Sequence, residues 1–297
     1  MTQAIRLPSF FVAGPPRTGT SWLHAILSQH ATLPSFNKET RFFDVHFARG
    51  LPWYGRHFPV SPAGRPRGEI APTYFASPQA RENIAMAIPH ARLIFIFRNP
   101  VQRVVSMYRA KRAYGRFSWN FEQALARDPE LMESGRYATH LQQWLLDFPS
   151  HQILITLHDD LRRDPQSFID RLARFIGIPR FALTPAQLGK VYSSGTMTVP
   201  RSYLATWAGT AVADWCKARR LEKAVAAVKN SPLIGLFIGG GRPFPEVPAD
   251  TLRRLYETFR PEVEGLEAIL ARDLSHWKAS KPAPSRPAQQ DAAGATL

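Results

Sequence analysis

The sequence predicts a single-domain α/β fold, an open parallel β-sheet with helices on both faces. Apolar runs of strand length alternate along the chain with segments in which apolar residues recur at helical spacing. The apolar runs are nearly continuous, which is typical of strands covered on both faces. With 297 residues, of which 44% are hydrophobic, the chain is long enough to bury one large core.

The individual elements are predicted in chain order from these patterns. Strands are predicted over residues 10–13, 92–97 ("RLIFIF") and 152–157. Helices are predicted over residues 20–30, 78–87, 117–127, 136–146 and 249–270, with two more beginning at Pro100 and after Asp164-Pro165. Residues 31–72 and 193–248 are predicted to be irregular. We expect one domain over residues 1–278 and a disordered tail over 279–297, which is rich in Ala, Pro, Gln and Ser.

The composition restricts the partners and the compartment. The formal net charge of +15 favours anionic ligands. The arginines are scattered and form no dense basic block, so no nucleic-acid partner is expected. Cys216 is the only cysteine, and the sequence has neither a signal-peptide pattern nor a run of about 18 apolar residues. These features predict a cytoplasmic protein without a transmembrane segment.

The stretch "GPPRTGTS", residues 14–21, lies between the first predicted strand and helix. It has the glycine spacing of the G-x-x-x-x-G-K-[ST] phosphate loop, but Thr20 stands in place of the Lys. Gly14 and Gly19 allow a tight path, backbone N–H groups and hydroxyls suit an anion, and Arg17 adds a bidentate cation. An ordinary strand-to-helix turn is the alternative. Without the Lys, the loop favours a nucleotide whose phosphates are neutralised directly by protein groups rather than a magnesium triphosphate.

A second motif, "RNPVQRVVSMY", begins where the apolar strand 92–97 ends. Arg98 follows that strand, at the edge where open parallel sheets bind ligands, and Ser106 lies about two helical turns later. The two side chains together fit one phosphate group. Taken singly, each also fits a surface charge or an ordinary helix residue.

The two motifs, in this order, resemble the PAPS-dependent sulfotransferase family, where PAPS is 3′-phosphoadenosine 5′-phosphosulfate. In that family the loop matched by "GPPRTGTSWL" binds the 5′-phosphosulfate end, and the motif matched by "FRNPVQRVVSMY" binds the 3′-phosphate. "KETRFFD", "GLPWYGRHFP" and "GEIAPTYF" resemble blocks of the heparan sulfate-type branch and its bacterial relatives, and the similarity covers nearly all of residues 8–277. The resemblance implies a P-loop-like fold, PAPS as sulfuryl donor without a metal, and a hydroxyl or amine acceptor, with a carbohydrate or small molecule favoured.

The resemblance also implies the residues of the site. Glu39 matches the family's catalytic base, and Arg17 takes the place of a loop cation that stabilises charge on the leaving bisphosphate. The expected cofactor-binding residues are Arg17, Thr18, Gly19, Thr20, Ser21, Trp22, Arg98, Ser106 and, in a late loop, Arg201. The expected acceptor residues are Lys38, Arg41 and Tyr74. Ile70 departs from the pattern, because glycosaminoglycan-modifying members often carry Lys there.

Other functions remain open at this level. Glu39 also fits a loop carboxylate paired with Lys38 or Arg41. A P-loop nucleotide kinase would use the same loop, although its Lys and magnesium-binding Asp are missing. A non-catalytic nucleotide- or polyanion-binding protein would explain the positive charge but not the paired phosphate motifs. Magnesium dependence would distinguish the kinase, and steeply salt-dependent nucleic-acid binding would distinguish the polyanion binder.

Overall fold

The computed structural model describes residues 5–35, 38–62, 64–189, 197–218 and 240–279. Its central sheet is parallel and consists of β1 Phe10–Val12, β2 Gly68–Ile70, β3 Arg92–Phe97 and β4 Ile153–Leu157. The strand order is β2-β1-β3-β4, so β1 has β2 on one side and β3 on the other. The loops after β1 and β3 leave the same edge of the sheet as neighbours, which is where open α/β sheets bind ligands. The predicted open parallel sheet is confirmed.

Helices connect and cover these strands. They are α1 Thr20–Leu27, α2 Leu51–Gly55, α3 Pro78–Ala87, α4 Pro100–Ala113, α5 Phe121–Arg127, α6 Glu130–Glu133, α7 Tyr137–Asp147, α8 His158–Arg163, α9 Pro165–Ile176, α10 Pro185–Gly189, α11 Tyr203–Ala218 and α12 Ala249–Leu270. A π-helical turn spans Phe42–His46, and 3₁₀ turns span Phe47–Arg49, Pro72–Tyr74, Ser150–Gln152 and Ser275–Trp277. A small antiparallel sheet, β5 Thr198–Pro200 and β6 Gly240–Pro243, contacts α4 through β5.

Successive side chains of the central strands point to opposite faces of the sheet, and a hydrophobic core forms on each face. Phe11 and Phe95 belong to a core shared with α3, α7 and α12, whereas Phe10 and Ile94 belong to a core shared with α1 and α9. Residues 93–97 of β3 are fully buried, because successive side chains point to opposite faces and helices cover both. Helices on both faces of a single domain are therefore confirmed.

Two segments that the sequence predicts to be irregular contain regular structure, so the prediction is wrong there. β2 lies within 31–72, and its three residues are too few to show a period; the strand forms because it pairs with β1. The 16-residue helix α11 lies within 193–248, where an internal Gly209, two Thr and one Val lower the apparent helix propensity.

Two further predictions concern the ends and the membrane. The predicted disorder of the tail falls, apart from Ala279, on residues outside the described part of the chain. Among the helices of the described residues, none combines the length and the apolar character needed to cross a bilayer.

Candidate active site

The loop between β1 and α1 starts in close contact with the neighbouring strand. A β-carbon on Gly14 would lie 2.4 Å from the backbone nitrogen of Ile96 in β3, so this position requires glycine. Gly19 has a φ of 97° and Arg17 a φ of 73°, both in the left-handed region. α1 begins at Thr20 with neither a capping side-chain hydrogen bond nor an acidic residue in its first turn. The loop and helix end therefore have the form of an anion site.

Arg17, Arg98 and Ser106, predicted from two separate motifs, meet beside this loop. Arg17 Nε donates to Ser106 Oγ at 3.1 Å, and Arg98 Nη1 donates to the Arg17 carbonyl oxygen at 3.3 Å. Among the described residues, neither guanidinium is within ion-pair distance of a carboxylate. Burial lowers the pKa of both arginines, although a guanidinium stays charged at neutral pH. Two adjacent, partly buried cations without an anionic partner favour binding of a phosphate or sulfate.

The other predicted loop residues divide between the site and the core. Thr18 is fully buried, and its Oγ1 donates to the Pro15 carbonyl oxygen at 2.8 Å, so its hydroxyl holds the loop in shape. Thr20 is buried at the start of α1, and Ser21 is exposed beside it. Trp22 packs in the core shared by α1 and α9, where its Nε1 donates to the Gln187 carbonyl oxygen at 2.8 Å. The tryptophan thus has a packing role in addition to any contact with a nucleotide.

Lys38 and Glu39 form the charged start of the segment that leads into the π-helical turn. Lys38 Nζ lies 3.8 Å from Glu39 Oε1, and both side chains are less than one-third exposed. Burial raises the pKa of Glu39, while Lys38 and Arg41 lower it. Burial also lowers the pKa of Lys38, opposed by Glu39. A carboxyl whose pKa is raised by burial is a better proton acceptor than an ordinary surface glutamate.

The other two predicted acceptor residues differ sharply in exposure. Arg41 is exposed, has a φ of 55°, and its Nε donates to Asp44 Oδ2 at 2.6 Å. Tyr74 is fully buried, and its hydroxyl donates to Glu69 Oε2 at 3.3 Å. Since Tyr74 has no surface to offer an acceptor, we assign it to the support of the segment that carries Glu39.

Glu69, at the centre of β2, is a buried carboxyl that sequence reasoning missed. Its Oε1 accepts from the Thr40 backbone N–H at 2.7 Å, and its Oε2 accepts from the Tyr54 hydroxyl at 2.7 Å, in addition to Tyr74. Burial raises the pKa of Glu69 to about 7, against the lowering effect of these donors. Because Thr40 follows Glu39 directly, the Glu69 carboxyl ties the candidate base to the central sheet.

Arg201 directly follows β5, the strand that contacts α4. It lines a cavity of about 560 Å³ together with Arg112 of α4 and Arg242 of β6. Neither of these two partners was predicted. Arg242 stands in the glycine- and proline-rich stretch that the sequence predicts to be irregular, and Arg112 lies on α4 fewer than two turns after Ser106. Three guanidinium groups around one cavity would attract an anion.

His158 is another residue that the sequence motifs did not indicate. It follows β4 at the same edge of the sheet, and a β-carbon on Gly19 would lie 3.7 Å from its Cδ2. Burial lowers the pKa of His158 to about 4, and the positive charges of Arg98 and Arg162 add to the effect. Its imidazole is therefore neutral at pH 7 and able both to donate and to accept. Its position after a predicted strand was the available signal.

Comparison with known proteins shows similarity over most of the chain, beyond the two phosphate motifs. The model of the sulfotransferase domain matches residues 7–191. The chain is 34% identical over 200 residues to the bifunctional heparan sulfate N-deacetylase/N-sulfotransferase 2 of Bos taurus, covering 59% of this chain and 22% of that protein. It is 30% identical over 197 residues to the corresponding enzyme 3 of Homo sapiens, covering 58% and 22%. The chain thus spans about a fifth of the length of these curated relatives.

A solved structure shows that the fold is shared beyond the matched segment. The crystal structure of a sulfotransferase from Alicyclobacillus acidocaldarius aligns with a TM-score of 0.66 at 23% identity, covering 92% of this chain and 99% of that chain. The domain model covers more than half of the chain, and the residues of both phosphate motifs meet at one edge of the sheet. The chain therefore belongs to the PAPS-dependent sulfotransferase family.

Proposed function

We propose that this protein transfers a sulfuryl group from PAPS to a hydroxyl or amine of a carbohydrate acceptor. The observation that carries the proposal is the junction of Arg17, Arg98 and Ser106 at the ends of two adjacent strands. A nucleotide with anionic groups at both its 5′ and 3′ positions needs cations from two elements, and these residues come from two elements. Membership of the family and the names of the heparan sulfate relatives support the donor and the acceptor class.

The residues present fit PAPS in charge and in shape. The close approach of Gly14 to β3 and the left-handed Gly19 allow the tight path of the loop, whose backbone N–H groups would bind the phosphosulfate. Arg17 would lie at this end, and Arg98 with Ser106 would hold the 3′-phosphate. PAPS, when bound, supplies the sulfuryl group and leaves as the bisphosphate.

Glu39 and Arg17 have complementary roles in the reaction. A bond forms between the acceptor oxygen or nitrogen and sulfur as the bond from sulfur to the bridging phosphate oxygen breaks. The acceptor loses a proton, which Glu39 takes as general base, and the bridging oxygen keeps the bonding electron pair. Arg17 donates a hydrogen bond and positive charge where that negative charge develops, but keeps its own proton. Lys38, 3.8 Å from Glu39, keeps the carboxyl available in its ionised form.

Calorimetric titration with 3′-phosphoadenosine 5′-phosphate in the absence of magnesium tests the donor site. We expect tight binding to the wild type and at least tenfold weaker binding to Arg98→Ala, which is about 1.4 kcal/mol. Arg253→Ala is the matched control, because Arg253 is an exposed arginine on α12 whose partner is Asp250. No binding, or a preference for ATP with magnesium, would overturn the proposal and favour a nucleotide kinase.

A cytoplasmic location is part of the proposal. The single cysteine, Cys216, is buried and free, which suits a reducing compartment. Fractionation of the native host, with the protein detected by antibody, checks this location.

A further inference from the structure

A second cavity is lined by Arg41, Asp44 and Glu130, three residues whose charges act on the candidate base Glu39. Its volume is about 400 Å³, within the range of about 300–1,000 Å³ typical of ligand pockets. Its lining includes Pro16 of the phosphate loop, Arg41 and Asp44 of the segment after Glu39, and Thr73. We call it the acceptor cavity.

Two buried polar atoms in the lining have no protein partner. Asp44 Oδ2 accepts from Arg41, but Asp44 Oδ1 is buried and makes no hydrogen bond, in a side chain only 6% exposed. Thr73 Oγ1 is likewise buried without a partner. A buried carboxylate oxygen or hydroxyl left unpaired is costly, and native structures rarely contain one without a ligand or water to satisfy it. Asp44 Oδ1 requires a donor, and Thr73 Oγ1 can bind a donor or an acceptor.

The remaining charges around the cavity are mostly negative. Glu130 and Glu133 of α6 line it with Asp44, while Arg41 is the cation among the lining residues. The cations that pair with the two glutamates are not among the lining residues: Lys111 pairs with Glu130 at 2.6 Å and Arg136 with Glu133 at 3.5 Å. Three of the four charged side chains in the lining are carboxylates, so an acidic ligand would be disfavoured.

The acceptor cavity lies near Glu39, and buried hydrogen bonds of Arg103 fix the helix α6 that forms one of its walls. Asp44 and Glu130 are close enough to Glu39 to raise its pKa, after the larger effect of burial and against the lowering effect of Lys38 and Arg41. α6 is fixed to α4 by Arg103, a fully buried guanidinium whose Nη1 donates to Ser134 Oγ at 2.8 Å and whose Nη2 donates to the Leu131 carbonyl oxygen.

We propose that this cavity binds the acceptor and that it selects a carbohydrate with hydroxyl or amino donors and no acidic groups. The proposal rests on the proposed function. Asp44 Oδ1 and Thr73 Oγ1 would bind donors of the sugar, and Asp44, Glu130 and Glu133 would disfavour a uronic acid or sulfate beside it. This charge preference differs from that expected of a site for a polyanionic chain. Ile70 does not contribute to it, because its side chain is fully buried in the core shared by α1 and α9.

The test compares three oligosaccharides of equal length on the full chain with saturating 3′-phosphoadenosine 5′-phosphate. One is a glucosamine oligomer, one its neutral N-acetylated form, and one alternates glucosamine with glucuronic acid. Calorimetry at fixed ionic strength gives each Kd. We expect the first two to bind at least tenfold more tightly than the uronic acid oligomer.

Variants connect this preference to the named atoms. Asp44→Asn and Thr73→Val, which conserve side-chain volume, should each weaken binding of the neutral oligomer about fivefold or more. Glu130→Gln with Glu133→Gln should reduce the discrimination against the uronic acid oligomer by a similar factor. Asp170→Asn is the matched control, because Asp170 pairs with Arg180 at 2.7 Å on α9 and lines neither site. Binding of the bisphosphate checks that each variant is folded.

The outcomes separate the inference from the function on which it rests. If the bisphosphate does not bind the wild type, the proposed function fails. If it binds, but the oligomers show no preference, the uronic acid oligomer is preferred, or none of them binds, the inference fails and the donor site stands. Unchanged affinity in both Asp44→Asn and Thr73→Val would also overturn the inference.

Discussion

The two sides of the candidate site have opposite charge. The donor side, formed by Arg17, Arg98 and Ser106, has two partly buried guanidinium groups without a carboxylate partner among the described residues. The acceptor cavity has three carboxylates, of which Asp44 has a buried, unpartnered oxygen. Glu39 lies between them, with Lys38 beside it.

This difference indicates how one cleft serves two ligands. The donor brings several negative charges, and the Arg17 and Arg98 guanidinium groups on its side make no ion pair with a described carboxylate, although Asp159 is near enough to raise the pKa of Arg98. The ligand would therefore neutralise these cations. The acceptor brings hydroxyl or amino groups and must lose a proton, so its side supplies oxygens that accept hydrogen bonds and one carboxyl that accepts the proton. The separation also keeps the acceptor out of the nucleotide-binding cations.

The largest expected effect is on the proton acceptor between the two sides. Glu39→Gln should lower kcat by about 10²–10⁴-fold, because general base catalysis contributes about that much, with bisphosphate affinity changed less than twofold. Since burial raises the pKa of Glu39, the rate of the wild type should rise with pH through a value above 4.5, and the variant should lose this rise. Initial rates across pH with a radiolabelled sulfuryl group check both. Glu82→Gln, 60% exposed on α3, is the control, and an unchanged kcat would exclude Glu39 as the base.

A somewhat smaller loss is expected on the donor side. Arg17→Ala should lower kcat by about 10²–10³-fold, as removal of one transition-state donor does, and should also weaken bisphosphate binding. Arg17→Lys should recover part of the loss, since it restores the charge but not the planar donor that reaches Ser106. Paired kcat and binding measurements, with the exposed Arg174→Ala as control, check this. If Arg17→Ala changed neither kcat nor the affinity for the bisphosphate, the assignment of Arg17 to a cationic donor side would be wrong.

Glu69 tests whether the sheet supports the Glu39 segment electrostatically. Its pKa of about 7 exceeds the value of 4.5 in the unfolded chain, so the native state holds a proton that the unfolded chain releases. Its contribution to stability is therefore full below pH 4.5, declines between pH 4.5 and about 7, and is constant above. The 2.5-unit difference corresponds to about 3 kcal/mol.

Urea unfolding of the wild type and Glu69→Gln from pH 4.5 to 8 measures this contribution. The free energy of unfolding of the variant relative to the wild type should rise by up to about 3 kcal/mol across that range. The exposed Glu257→Gln on α12 should show no such trend. Parallel curves for Glu69→Gln and the wild type would show that the carboxyl is ionised throughout.

The smallest effect concerns the shape of the phosphate loop. Thr18→Val removes the hydrogen bond to the Pro15 carbonyl oxygen, which should cost about 0.5–1.5 kcal/mol and lower Tm by about 1–2 °C in a chain of 297 residues. Thr258→Val is the control, because that exposed hydroxyl also donates to a backbone oxygen, of Arg254. Calorimetric melting checks both variants, and equal shifts would show that Thr18 has no special role.

The sequence predicted the elements and residues that depend on local patterns. The phosphate loop, Arg98 with Ser106, and the long helix α12 follow from glycine spacing, strand ends and helical periodicity. The hydrogen bond between Arg17 and Ser106 was not predicted, because the two motifs were assigned to different ends of the nucleotide. It forms because adjacent strands in a parallel sheet place their carboxyl ends together.

The residues that sequence reasoning missed depend on contacts between distant segments. Glu69 becomes special only when Thr40, Tyr54 and Tyr74 surround it, and β2 exists only because β1 is beside it. The assignment of Tyr74 to the acceptor was wrong because a motif gives the position of a residue in the sequence, whereas the exposure of its side chain depends on tertiary packing. Tyr74 is fully buried. The unpartnered atoms of the acceptor cavity are likewise visible only in three dimensions.

The direct pairing of β1 with β3 has a further consequence. Phe10 pairs with Arg92, so the two halves of the donor side are brought together by one of the longest-range ladders in the fold. A nucleotide that contacts the ends of both β1 and β3 acts as a non-covalent cross-link between these two strands. Its binding should slow amide hydrogen exchange in β1 and β3 more than in the peripheral pair β5–β6, since sub-global opening that parts the central strands would also release the ligand.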